Sequence, residues 1–271
     1  MSNLVKRAIF GSLYVGLILA ALLLREHLVY MIVFGLLAFL GTWEWSNLVS
    51  THRLFPLRRI FDATAAVYLF WATHEIADKG IEYAAFLVPY AGYLLYILVR
   101  SIYSERQAMP TDLAKVIFGQ IYVGGFLSIA NIFYTDTDTS IILLTIFVSI
   151  WANDTGAYLA GSTLGRRKLF PSVSPKKSWE GFVGGLIAAV VATGLLLGWE
   201  QCYIGVIISI AATWGDLFES MVKRSVGVKD SGNIIPGHGG ILDRIDSLLF
   251  TLPFVAFFLW GLYTYQLIHL A

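Results

Sequence analysis

Ile208–Arg224 reads ISIAATWGDLFESMVKR, a run that begins as apolar helix of membrane quality and ends carrying Asp216, Glu219, Ser220 and Lys223. At 3.6 residues per turn these four stand at i, i+3, i+4 and i+7, one face of a single helix. Within a membrane that face must look into protein or water, because a carboxylate in hydrocarbon costs about 2.5–3.5 kcal/mol even on lenient scales. A plain ladder of Asp216 with Ser220 and Glu219 with Lys223 would stabilise the helix end by only tenths of a kcal/mol. A surface ladder of that kind does not need Ala, Trp and Ile around it.

The rest of the chain places this run in a membrane. Of 271 residues, 57% are hydrophobic and 14% charged, and the mean hydropathy is +0.71, far outside the range of a soluble domain. Apolar runs recur at 5–24, 28–48, 60–73, 81–99, 113–133, 140–162, 179–198, 203–222 and 247–268. The expected fold is all-α, a polytopic membrane protein of nine spans forming one domain, 1–271. Residues 1–110 supply mainly scaffold helices, and 150–250 hold nearly all the polar intramembrane features. The run at 60–73 is the weakest; it is short enough to be tilted, re-entrant or supported by its neighbours. With a cytoplasmic N-terminus and nine spans, every Lys and Arg except Arg25 and Lys79 falls on the inner side, as the positive-inside rule requires. The first run follows Lys6 and Arg7 as a signal peptide would, but it lacks a cleavage pattern and is read as a mature helix.

Net charge is +1, and no basic stretch calls for nucleic acid. The single cysteine, Cys202, says nothing about redox compartment. The chain lacks a P-loop, a His-Glu-x-x-His zinc motif and a Gly-x-Ser-x-Gly elbow, which removes those chemistries.

The costly carboxylates gather at the cytoplasmic helix ends of this topology. Asp154 interrupts the run WANDTGAYLAG, Glu180 follows SPKKSW, and Asp216 and Glu219 stand in the run quoted above. After it comes VGVKDSGNIIPGHGG, an ordered Gly- and Pro-rich loop, and then ILDRIDSLLF, with Asp243 and Asp246 on one face of a helix start. Taken singly, these two aspartates read as helix caps paired with Arg244, worth about 0.3–1 kcal/mol. Together with Asp216 they offer the oxygen donors that Mg²⁺ prefers. Lys223, Arg224, Lys229 and Arg244 lie around them, with Lys176 and Lys177 in the preceding inner loop, a composition suited to polyphosphate plus metal. Arg166, Arg167 and Lys168 are explained by the positive-inside rule alone. Gly239 and Gly240 offer close backbone approach to a phosphate, and His238 a donor or acid–base group.

Ser220–Asp246 resembles the signature of the phosphatidate cytidylyltransferase (CDP-diacylglycerol synthase) family. The matching positions are Ser220, Lys223, Arg224, Lys229, Asp230, Gly232, Pro236, His238, Gly239, Gly240, Asp243, Arg244 and Asp246, and NDTGAY and SPKKSWEG also look like family segments. The clear resemblance covers about 150–250.

It implies an integral membrane enzyme that joins CTP and phosphatidic acid into CDP-diacylglycerol and pyrophosphate. Mg²⁺ would be held by Asp216, Asp243 and Asp246, with a second cation, K⁺ or a divalent ion, beside it. Lys223, Arg224, Lys229 and Arg244 would hold CTP and pyrophosphate oxygens, and Lys176 and Lys177 further ones. Asp154, Glu180, Ser220 and His238 would be substrate contacts or supports, alongside Gly239 and Gly240. The partners expected are CTP, phosphatidic acid and membrane lipid; a homodimer is compatible with the sequence. The expected location is the bacterial inner membrane, with the site facing the cytoplasm. The competing readings are a cytidylyltransferase for an ether or isoprenoid lipid phosphate and, further off, an ion-coupled transporter, which would need access to both faces.

Overall fold

The computed structural model describes residues 3–49, 56–103, 109–135, 140–234 and 239–270. Pro236 and His238 of the signature, and the loop residues Arg53 and Arg106, lie outside these. Among the described residues, helices cover each of the expected apolar runs: α1 (Asn3–Leu23), α2 (His27–Val49), α3 (Pro56–Lys79), a 3₁₀ turn (Ile81–Leu87) running into α4 (Val88–Ile102), α5 (Met109–Gly119) continuing through a π-helical stretch (Gln120–Gly125) into α6 (Phe126–Ser128) and α7 (Ala130–Thr135), then α8 (Ser140–Leu164), α9 (Trp179–Leu197), α10 (Cys202–Ser225) and α11 (Leu242–Leu270). Seven helical segments among the described residues are long and apolar enough to cross a membrane. The protein is thus an all-α polytopic membrane protein.

The weak run at 60–73 proves to be part of a 24-residue helix, α3, about 36 Å long at 1.5 Å per residue. Its low hydropathy reflects neighbours rather than a break. Buried Asp62 accepts from the Tyr93 hydroxyl at 2.7 Å, and Gln120 donates to the Asp62 carbonyl at 2.8 Å, so Asp62 is supported from neighbouring helices inside the protein.

Contacts divide the chain into two compact units, one of residues 1–136 and 226–245, the other of 137–225 and 246–271. In the first unit, Tyr30 stacks on Tyr134 with ring centroids 3.6 Å apart and packs beside Phe34 and Phe70. Its hydroxyl donates to Asn131, whose amide donates in turn to the Phe70 carbonyl. Trp45 lies against Gly119, where a Cβ would enter the indole, and its Nε1 donates to the Lys115 carbonyl at 2.9 Å.

The second unit is built on close helix contacts. A Cβ on Gly156 would stand 2.6 Å from the Gly184 carbonyl oxygen, so α8 and α9 meet backbone to backbone, as small residues permit in a membrane. Gly205 brings α10 onto α9 in the same way, and Gly215 brings α10 onto α11 at the Asp246 carbonyl. Between α8 and α9 the connection is not irregular: β1 (Lys168–Phe170) and β2 (Ser174–Ser178) form an antiparallel hairpin with Lys168 opposite Ser178 and Phe170 opposite Ser174. This small addition to the expected all-helical architecture fixes the direction in which Lys176 and Lys177 leave the membrane helices.

Candidate active site

The last turns of α10 set out the expected ladder, and its Glu219–Lys223 half is buried. Ser220 donates to Asp216 at 3.2 Å. Lys223 pairs with Glu219, which is wholly inaccessible, and Lys223 itself is only 7% exposed. A buried pair of this kind fixes geometry rather than adding much stability, since both charges give up water to form it.

The hairpin supplies the next cation. Lys177 Nζ stands 2.7 Å from Asp216 Oδ2, with both side chains partly accessible. The hairpin holding it is anchored where it leaves α8 and where it enters α9. Ser178 caps α9 by accepting from the Gly181 N–H at 3.1 Å, and Glu180 accepts from the N–H groups of Arg166 and Arg167 at 3.0 and 3.2 Å. Glu180 is therefore engaged in shaping the turn before β1.

A cavity of about 450 Å³ opens within this unit, lined by Asp154, Lys176, Lys177 and Asp216 together with Asn153, Thr213, Tyr158 and Phe182. It brings together two cations, two carboxylates and an apolar wall, with Gly161 and Gly181 in the lining. Asn153 in its wall accepts from the Ser209 hydroxyl at 2.7 Å.

Asp246, in the second turn of α11, is 8% exposed and within electrostatic reach of Asp216, Glu219 and Asp154. Its Oδ1 also accepts from the N–H of Ser247. Asp243, three residues earlier, is employed differently: its carboxylate accepts from the N–H of Gly240 at 2.7 Å and of Ser231 at 3.1 Å, closing the signature loop on itself. Gly239 adopts φ +82°, and a Cβ there would strike the Asp243 carboxylate, so glycine is required on both counts. Arg224, Lys229 and Arg244 are exposed. Among the described residues, no three His, Cys, Asp or Glu side chains converge as a ready-made metal site.

The profile of the Cytidylyltransferase family matches residues 5–262, nearly the whole chain. This chain belongs to the cytidylyltransferase family. Its relatives include the phosphatidate cytidylyltransferase of Haemophilus influenzae, 35% identical over 93% of this chain and 97% of that protein. Those of Staphylococcus haemolyticus and Staphylococcus aureus are each 34% identical, over 88% and 86% of this chain and 92% and 90% of theirs.

Within this cytidylyltransferase fold, sequence reasoning did not single out Glu44. Glu44 lies within the apolar run 28–48, and its carboxylate is buried and bonded to Ser231 and Leu242. The available signal was its place in WEWS near the end of a membrane run, where an unpaired carboxylate is expensive.

Proposed function

We propose that this protein is a CTP:phosphatidate cytidylyltransferase, forming CDP-diacylglycerol and pyrophosphate for phospholipid biosynthesis. The observation that carries this reading is the relation to phosphatidate cytidylyltransferases over 93% of the chain, together with a family match over residues 5–262 that spans the charged series from Asp154 to Asp246. A phosphate oxygen of the lipid attacks the α-phosphorus of CTP, a new P–O bond forms, the α–β phosphoanhydride bond breaks, and pyrophosphate leaves. The lipid phosphate is already ionised at neutral pH, so the barrier lies in bringing anions together rather than in removing a proton.

The residues divide that work. Lys176 and Lys177 meet phosphate oxygens at the cavity, and Lys223, Arg224, Lys229 and Arg244 hold the triphosphate and the departing pyrophosphate. Asp216 and Asp246, with Asp243, are the ligands proposed for Mg²⁺; their hard oxygens suit that ion, and a divalent cation would offset the negative charge gathered around buried Asp246. When bound, the ion would neutralise phosphate charge. Asp154 and Ser220 support the ligands, and Glu180 holds the hairpin.

The same reading gives nine spans with a cytoplasmic N-terminus, in the bacterial inner membrane. The site then faces the cytosol, where CTP is dissolved, while phosphatidic acid arrives through the leaflet.

The test is pyrophosphate release by purified protein in detergent with CTP, phosphatidic acid and Mg²⁺, each omitted in turn. Release that requires all three, with CDP-diacylglycerol in equal amount, is the expected result. Release with an ether-linked analogue but not with the acyl lipid would change the substrate; no release with either would remove the transferase reading.

A further inference from the structure

We propose that Glu44 is a positioning residue for this reaction, holding the signature loop and the first turn of α11 in their working geometry from a different helix. The inference rests on the assignment of that loop to catalysis.

Glu44 stands near the end of α2, 2% exposed. Its Oε2 accepts from the N–H of Leu242 at 2.8 Å and from the Ser231 hydroxyl at 3.2 Å, and the N–H of Ile241 also reaches the carboxylate. The first N–H groups of a helix have no partners within it, and negative charge is favoured beside them. Glu44 therefore does for α11 what a local cap does for α9, but from about 200 residues away in the chain.

The loop is shaped to admit this carboxylate. A Cβ on either Gly232 or Gly240 would land on the Glu44 side chain. Ser231 is held twice, its hydroxyl by Glu44 and its N–H by Asp243. Two carboxylates thus clamp the loop at both ends, and the turn they fix carries Asp243 and Arg244 and leads directly to Asp246. A glutamate serving only as a remote cap would not need two glycines and a serine built around it. Its second oxygen, Oε1, is buried without a hydrogen-bond partner among the described residues, so the carboxylate is kept here against a desolvation cost.

The role predicts kinetics rather than stability alone. Supporting residues behind ligands and phosphate contacts typically change affinity or activity by about 10- to 100-fold when removed. The experiment compares Glu44→Ala, Glu44→Gln, Ser231→Ala and Asp246→Asn in full-length protein in detergent. It measures kcat per folded molecule, KM for CTP, the Mg²⁺ concentration for half-maximal rate, and the thermal midpoint. Glu44→Ala should lower kcat by about tenfold or more and raise the Mg²⁺ requirement. Glu44→Gln, which keeps an acceptor oxygen in the same shape, should recover most of both. Ser231→Ala should move both in the same direction by a smaller factor, and it carries the test if Glu44→Ala does not fold. Unchanged kcat and Mg²⁺ response in folded Glu44→Ala and Ser231→Ala would overturn the proposal. So would losses of activity that only follow the folded fraction. Normal turnover in Asp246→Asn would instead overturn the assignment of the loop to catalysis, whereas loss there beside normal Glu44 variants would overturn the role of Glu44 alone.

Discussion

Lys177 of the hairpin and Asp216 of α10 stand 2.7 Å apart at the wall of a cavity that also contains Lys176 and Asp154. The pair joins a group proposed for phosphate to a group proposed for metal. Each is the natural counter-ion of the other's ligand, so occupation of the site by a cation and a polyanion would part them without leaving either charge unpaired.

Lys177→Met should therefore affect binding more than folding. Because both side chains are partly accessible, the pair contributes only about 0–1 kcal/mol to stability. The thermal midpoint should move by a few degrees at most, while KM for CTP rises by about tenfold, the worth of one charge-assisted phosphate contact. An unchanged KM would take Lys177 out of the substrate site.

Asp246→Asn separates function from stability in the opposite sense. Asp216, Glu219 and Asp154 act electrostatically on buried Asp246, so removing its charge relieves repulsion. The variant should keep or raise its thermal midpoint while losing Mg²⁺-dependent turnover. Wild-type turnover would remove Asp246 from the metal site.

Glu219 and Lys223 form a buried pair, so removing one partner takes away the nearest compensation of the other charge. Lys223→Met should destabilise by about 3–5 kcal/mol, and the double variant with Glu219→Gln by distinctly less. Denaturation in mixed micelles measures the difference. Equal losses in the single and double variants would mean that Glu219 is compensated elsewhere. Activity should stay low in both variants, because Lys223 is assigned to the triphosphate.

Gly156→Ala tests the seam that supports the cavity. Its new methyl would stand 2.6 Å from the Gly184 carbonyl oxygen, a backbone atom that cannot rotate away. Separation of α8 from α9 should cost about 1–3 kcal/mol, read as a lower thermal midpoint in detergent. A variant as stable as the parent would show that the two helices can part freely there.

Much of the protein was legible because the signals are local. Apolar runs reported the helices, the spacing of Asp216, Glu219, Ser220 and Lys223 reported their common face, and the Lys-Asp, His-Gly-Gly and Asp-Arg-x-Asp series reported the family. All of these depend on residues within a few turns of one another. The low hydropathy of α3 was also visible, but not its cause: the support of Asp62 by Tyr93 and Gln120 comes from helices 31 and 58 residues away.

Composition and periodicity by themselves determined a helical membrane protein with a charged site, because burial in hydrocarbon constrains every residue of a span in the same way. Only the tertiary structure decided which charges meet. Asp243 and Asp246 look equivalent at a spacing of three, yet the first closes a loop through Gly240 and Ser231 while the second is buried near Asp216. Glu44 acquires its meaning from Ser231 and Leu242, 187 and 198 residues further along the chain. Helical periodicity relates neighbours on one element; it carries no information about which distant donors packing will bring to a buried carboxylate.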